Sequence, residues 1–340
     1  MSATLPNPLA GVARRVHDLL LAHRVHLRTR VYATAEFGPP TAPCEVVPVT
    51  TADGIGLRVH AYGPADGDVV VLVHGWTCCL EYWNPQINEF AGRYRVIAYD
   101  QRGHGATELG DARVSTDLLA DDLSAVLAAV LRPGQRAVLV GHSLGGMSIQ
   151  AWAGRYPEQV AQRAAAVLLT NSAPHSLIAE TTVVPVFNRG VVSLPYWLGH
   201  LGLGSPIWFP PIRPMRWVFR RQVMSLAATG DIADFGMAIV RSCPARVRAT
   251  FGALLAEMNL GRAAANLIVP TTVIAGSRDD LTPLVHSERI VEMLREAGSF
   301  VKLVILPTGH LGNVEAYDRF NDELARVLVA AFSRVHEVSA

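Results

Sequence analysis

Three residues far apart in the chain have the types needed for acyl transfer: Ser143 in "GHSLGG", Asp279 in "GSRDDLTP" and His310 in "PTGHLGN". A serine hydroxyl stays protonated at neutral pH and is a weak nucleophile, so it needs a base, and the base needs an orienting acid. Gly141-His142-Ser143-Leu144-Gly145 fits G-x-S-x-G, a short pattern that carries weight only where a strand leads in and a helix leads out. Here "RAVLV" runs into Gly141, and "LGGMSIQAWAGRY" follows with helical character. The glycines answer a steric demand, because a tight strand-to-helix turn forces the serine into a conformation that bulky neighbours would obstruct. Such a turn also holds Oγ clear of the sheet, at the positive end of a helix. Asp279 and His310 follow the β-rich runs "LIVPTTVIAG" and "VKLVIL", in the chain order Ser, Asp, His. Asp280 is the alternative acid.

The elements that must position these residues are legible as alternating patterns. "CEVVPVT" and "IGLRVHAYG" flank Ala52-Asp53-Gly54 and read as a hairpin. "VVVLV" (69–73) is a continuous apolar run, as expected of a strand buried on both faces. "YRVIAY" (94–99), "RAVLV" (136–140), "AAAVLL" (164–169), 267–276 and 301–306 share that character. Helical spacing over 116–131 places Leu119, Leu123, Val126, Leu127 and Val130 on one side. Thr282-Pro283 reads as an N-cap followed by a first-turn proline, with Gly298 closing that helix, and 314–334 as the last helix. Strands alternating with helices imply an α/β protein with a mostly parallel, doubly wound central sheet. Residues 174–262 break the rhythm with a stretch dense in proline and aromatics, too long for a structureless loop. They are expected to form an inserted, mainly helical cap, dividing the core into 44–173 and 263–340. Trp197, Trp208, Phe209 and Trp217 are its candidate pocket residues, the alternative being packing within the cap; Phe219 belongs to the same aromatic set.

The chain has 340 residues, is 50% hydrophobic and 17% charged, and carries a formal net charge of +1. With acidic residues balancing the arginines, nothing favours nucleic-acid binding. Cys44, Cys78, Cys79 and Cys243 lack CxxC spacing and are too few for a disulfide framework, so free thiols and a cytoplasmic location are expected. A redox or metal role for the vicinal pair Cys78 and Cys79 is the alternative. The start of the chain has neither a secretory-signal pattern nor an apolar run of spanning length. Residues 1–43 are expected to form an amphipathic helix and linker. Val16, Leu19, Leu20 and Leu27 share a face, with Arg14, Arg15, Arg24 and Arg28 mostly elsewhere. Docking on its own domain is the expectation, and contact with an anionic membrane the alternative.

With "VHGW", "YDQRGHG", "GHSLGG", "GSRDDLTP" and "GHLGN" in this order, residues 44–334 resemble the capped serine hydrolases of the α/β-hydrolase fold. The resemblance implies acyl transfer: His310 takes the proton of Ser143 as it attacks a carbonyl, and Asp279 fixes the tautomer of His310. The family's acid precedes x-[Leu/Ile/Val]-[Thr/Val]-Pro, which selects Asp279 over Asp280. Some members carry the acid after the strand preceding the cap, where this chain reads "TNSAP" and offers Asn171, not a carboxylate. The resemblance assigns the oxyanion donors to the backbone N–H groups of Leu144 and Trp76, and lets the Trp76 ring border the pocket. It makes His74 a brace of that loop and His104 a structural residue of a turn. Asp100 is read as hydrogen-bonding nearby backbone, and His142 as no second base. No metal or organic cofactor is implied.

The function expected is hydrolysis of a carboxylic ester with an apolar acyl or alcohol part. Thioester hydrolysis, carbon–carbon bond hydrolysis and perhydrolysis use the same triad and stay open, as does a ligand-binding receptor on this fold. Epoxide hydrolases and haloalkane dehalogenases share the "HGW" and "DQRGHG" style of motif but use an aspartate nucleophile where this chain has Ser143.

Overall fold

In the computed structural model, residues 22–25, 27–175, 213–225, 227–228 and 230–338 are described. The apolar runs form eight strands: β1 Cys44–Thr50, β2 Gly56–Tyr62, β3 Val69–Val73, β4 Arg95–Tyr99, β5 Ala137–His142, β6 Ala164–Thr170, β7 Thr271–Gly276 and β8 Phe300–Leu306. They make one sheet in the order β1-β2-β4-β3-β5-β6-β7-β8. β1 and β2 pair as an antiparallel hairpin, β2 pairs antiparallel to β4, and the remaining neighbours are parallel. Gly54, at φ 84°, supplies the left-handed residue of the hairpin turn.

Side chains alternate across the sheet, so each strand feeds two cores. Val70 and Leu72 of β3 join one cluster, with Val138, Val140 and Leu168, while Val69, Val71 and Val73 join the other, with Leu139, Val167 and Leu169. The first cluster is covered by α1 (Asn84–Phe90), through Ile87 and Phe90, and by the last helix, through Phe320, Leu324 and Leu328. The second is covered by α2 (Thr116–Val130) and α3 (Leu144–Arg155), through Leu123, Leu127, Ile149 and Trp152. The Ser115 hydroxyl accepts the Leu118 N–H and caps α2, which is worth about 1 kcal/mol. α4 (Pro157–Arg163) leads into β6. Burial on both faces is why these strands read as unbroken apolar runs.

Between β6 and β7 the described chain forms three helices, α5 (Arg213–Val223), α6 (Gly230–Arg241) and α7 (Ala245–Glu257). The end of the N-terminal segment packs on α6 and on the turn that follows β3. Leu27 is buried, His23 Nε2 donates to the Ala238 carbonyl at 2.8 Å, and the Arg28 guanidinium meets Glu81 at 2.9 Å. Val16, Leu19, Leu20, Arg14 and Arg15 lie outside the described residues. Among those described, no helix is long and apolar enough to cross a membrane. Cys44, Cys78, Cys79 and Cys243 are free thiols.

Three local expectations are corrected. The run 267–276 becomes strand only from Thr271, since Pro270 has no N–H to give the ladder and a 3-10 turn occupies Ala263–Asn266. The helix after Thr282-Pro283, α8 (Leu284–Glu296), begins one residue later than expected, with Pro283 at the N-cap position; the Thr282 hydroxyl is engaged by Asp279 instead. Gly298 closes α8 at φ 71°, as its position implied. The last helix is two: α9 (Gly312–Glu315) and α10 (Tyr317–Val338) are separated at Ala316, whose φ of -130° and ψ of 53° are not helical.

Candidate active site

Ser143, Asp279 and His310 follow the carboxyl ends of β5, β7 and β8, and the parallel register brings those ends together. Ser143 sits at φ 52° and ψ -118°, between the end of β5 and the first turn of α3. For a residue with a Cβ this is a strained conformation, maintained only because its surroundings over-determine it. Those surroundings are tight. A Cβ on Gly145 would lie 2.0 Å from the Val73 carbonyl oxygen, and one on Gly141 would lie 2.7 Å from the Gly146 backbone. The Ser143 N–H donates to the Thr170 carbonyl, and its own carbonyl accepts from the Ser172 hydroxyl, each at 3.0 Å.

His310 lies between the other two, with Nδ1 2.8 Å from Asp279 Oδ2 and Nε2 2.9 Å from Ser143 Oγ. A carboxylate only accepts, so Nδ1 carries the proton and Nε2 offers its lone pair to the serine hydroxyl. The Asp279 carboxylate is otherwise saturated. Oδ1 accepts the N–H groups of Leu281 and Thr282, both at 2.9 Å, and Oδ2 accepts the Thr282 hydroxyl at 2.6 Å and the Asn171 amide at 2.8 Å. Burial pushes its pKa up, but His310, Thr282 and Asn171 outweigh that and hold it below the usual carboxylate range.

The loop after β3 approaches the serine from the other side. A Cβ on Gly75 would fall 2.7 Å from His142 Nδ1 and 3.1 Å from Ser143 Cβ, so only glycine lets this backbone come so near. His74 Nδ1 donates to the Gly75 carbonyl at 2.8 Å, and its Nε2 accepts the Gln101 N–H at 3.0 Å. His104 Nε2 accepts the N–H of Thr77, which sits at φ 65°. The peptides on both sides of Trp76 are thereby pinned. Leu144 is the first residue of α3, so its N–H lies outside the helix's own hydrogen-bond ladder. Asp100 accepts the N–H groups of Leu80 and Ala106 and meets Arg58 at 3.0 Å.

Leu144 and Met147 belong to an apolar cluster with Val247, Phe251 and Leu255 of α7, and the partly buried Trp76 packs against it. Trp197, Trp208 and Phe209 lie outside the described residues. Trp217 is 60% exposed on α5, its ring 5.8 Å from the Arg221 guanidinium, which makes it a surface position; Phe219 is buried and packs near Gly236 of α6. The carboxylate that meets His310 is that of Asp279.

The roles of two residues of the site are not legible in the sequence. Asn171 was noted only for not being a carboxylate, yet its amide donates to Asp279 and, at 3.2 Å, to the Gly309 carbonyl. Its place directly after the apolar run that becomes β6 was the available signal; the structure holds it there at φ 48°. His142, excluded as a base, has its Nε2–H on the His310 carbonyl at 2.8 Å. Burial and the neighbouring His310 hold His142 down to about 3, so it is neutral. Among the described residues no group of three His, Cys, Asp or Glu side chains is disposed to hold a metal ion.

Against known proteins, the model of the alpha/beta hydrolase family matches residues 70–323. A bifunctional esterase/perhydrolase of Acinetobacter calcoaceticus is 37% identical over 118 residues, covering 34% of this chain and 42% of the relative. A 3-oxoadipate enol-lactonase of Acinetobacter baylyi is 26% identical over 291 residues, covering 82% of this chain and 95% of the relative. Among solved structures, a thermophilic esterase from Thermogutta terrifontis has a TM-score of 0.64 at 22% identity, over 85% of this chain and 99% of its own, a likeness of fold alone. The family match runs from the strand that carries the Gly75 loop to beyond the histidine that meets Ser143, and so takes in the site and the sheet from β3 to β8, without the β1–β2 hairpin. The chain belongs to the alpha/beta hydrolase family.

Proposed function

We propose that this protein is a serine hydrolase that cleaves a carboxylic ester with an apolar acyl or alcohol part through an acyl-enzyme on Ser143. The observation that carries this reading is the continuous relay from Ser143 Oγ through His310 to Asp279, at 2.9 and 2.8 Å. Ser143 Oγ attacks the ester carbonyl while His310 Nε2 takes its proton. The same proton then goes to the leaving alkoxide as the C–O bond breaks. Water, deprotonated by His310, attacks the acyl-enzyme in the second half, and Ser143 regains its proton as the acid departs. Asp279 stays ionised and stabilises the imidazolium without taking its proton.

The oxyanion formed in each half is held by the N–H groups of Leu144 and Trp76. Loss of one such donor typically costs on the order of 10²–10³-fold in rate. The described part of the 174–262 insertion, α5 to α7, serves as the cap, and the apolar cluster of Leu144, Met147 and Phe251 with Trp76 supports an apolar substrate part. The lactonase and esterase/perhydrolase relatives support ester carbonyls, cyclic ones included, as the substrate class.

An activated aryl phosphonate tests the nucleophile: it is expected to add covalently at Ser143, with Ser143→Ala unlabelled by mass spectrometry. Equal labelling of the variant refutes the assignment. A panel of esters, lactones and thioesters graded by acyl length then reads the substrate class, and a flat, background-level response to all of them refutes ester hydrolysis.

A further inference from the structure

The loop that delivers His310 is anchored by groups that lie outside the Ser–His–Asp relay. The His310 N–H donates to the carbonyl of Val223, the last residue of α5, at 2.8 Å. Its carbonyl accepts His142 Nε2–H at the elbow. The preceding residue packs against the same end of α5, since a Cβ on Gly309 would lie 2.6 Å from the Met224 carbonyl carbon. Glu315, at the end of α9, spans the junction: Oε2 accepts the Ser225 N–H at 2.7 Å and Oε1 accepts the Gly309 N–H at 3.1 Å. One carboxylate thus ties the chain leaving α5 to the residue before His310. Leu311 reinforces the contact from the other side, its Cδ1 3.0 Å from where a Cβ on Gly236 of α6 would stand.

We propose that Glu315 is a positioning residue for His310, fastening the base loop to the inserted helices so that Nε2 stays at Ser143 only while α5 is seated. Asp279 orients the imidazole ring through Nδ1 but does not set where the backbone of 309–310 lies. Asn171 and His142 hold the carbonyls of Gly309 and His310, while the two N–H groups are held by Glu315 and by the Val223 carbonyl, which tie that backbone to the inserted helices. Gly309 is buried, so its N–H needs a partner, and Glu315 supplies it. Removing the carboxylate orphans two N–H groups at one packed junction and frees the loop to shift. A misplacement of about 1 Å at a reacting group costs on the order of 10²-fold in rate. The inference rests on the reading of His310 as the base.

Steady-state hydrolysis of an activated aryl ester tests it in Glu315→Ala, Glu315→Gln, His310→Ala and the double variant Glu315→Ala/His310→Ala, each assayed well below its own Tm. Glu315→Ala is expected to lower kcat on the order of 10²-fold with KM little changed. Glu315→Gln keeps one carbonyl acceptor and falls between Ala and the native residue. If Glu315 acts through His310, adding Glu315→Ala to His310→Ala lowers the residual rate no further. Should Glu315→Ala fail to fold, the nearly isosteric Glu315→Gln carries the same comparison, alone and combined with His310→Ala. A kcat within about twofold of the native enzyme, or a full further loss on top of His310→Ala, overturns the proposal. An active His310→Ala overturns the base assignment and this inference with it. An inactive His310→Ala beside an unaffected Glu315→Ala overturns this inference alone.

Discussion

Three buried histidines make the fold sensitive to acid in a calculable way. Burial depresses His74 to about 4 and His104 and His142 to about 3, the last two further lowered by a neighbouring histidine. Burial is the leading cause in each, since a charged imidazole would lose its hydration there. His74 and His104 use Nε2 as acceptor for the N–H groups of Gln101 and Thr77, so a proton there would face another donor. In the unfolded chain each returns to a pKa of about 6.5. Below that value the unfolded state binds more protons than the folded one, so stability falls as pH falls, until the folded pKa of each is reached. Three such groups remove about 2 kcal/mol between pH 7 and 6, and about 4 kcal/mol more between pH 6 and 5. The total is comparable with the roughly 5–15 kcal/mol that holds an ordinary domain folded. The depressed carboxyl of Asp279 adds a loss of the same sign at lower pH. Guanidinium unfolding followed by tryptophan fluorescence at pH 7, 6 and 5 reads the effect as a falling, steepening free energy. His104→Gln is expected to remove about one third of the slope. A free energy constant to within about 1 kcal/mol from pH 7 to 5 refutes the reasoning.

Two further predictions follow from buried charge. Asp279→Asn is expected to lower kcat on the order of 10⁴-fold, because an amide stabilises the wrong tautomer of His310, whereas Asp280→Asn leaves kcat near the native value; ester hydrolysis by the two variants checks this. Arg102 is wholly buried and spans Asp122 and Asp53, each at 2.7 Å. Arg102→Met strands the Asp122 carboxylate without its counter-charge and is expected to destabilise the fold by about 3–5 kcal/mol, read from chemical unfolding at pH 7.

The strands and the chain order of the site were legible because their causes are local. A strand buried on both faces must be apolar throughout, so Val69–Val73 and Ala164–Thr170 announce themselves. The elbow around Ser143 needs glycine where a Cβ would strike the Val73 carbonyl, so Gly145 marks it in any reading. Boundaries that depend on competition between local and distant partners were less legible. Thr282 has the composition of a helix cap, but a buried carboxylate is a stronger acceptor of its hydroxyl than a helix end is of need for it. Nothing local to Ala316 marks the break between α9 and α10, which leaves Glu315 turned to Ser225 and Gly309.

The sequence by itself determined which residue types are present and in what order, because turn sterics and hydrophobic burial act over a few neighbours along the chain. Only the tertiary structure decided what holds them at bonding distance. Asn171 saturates Asp279 across 108 positions of chain, His142 grips the His310 carbonyl across 168, and the end of α5 meets the His310 N–H. Those contacts are between polar groups with no periodicity and no sequence neighbours in common. They arise because the parallel register brings the carboxyl ends of β5, β6, β7 and β8 side by side, and the helices inserted after β6 return to that edge.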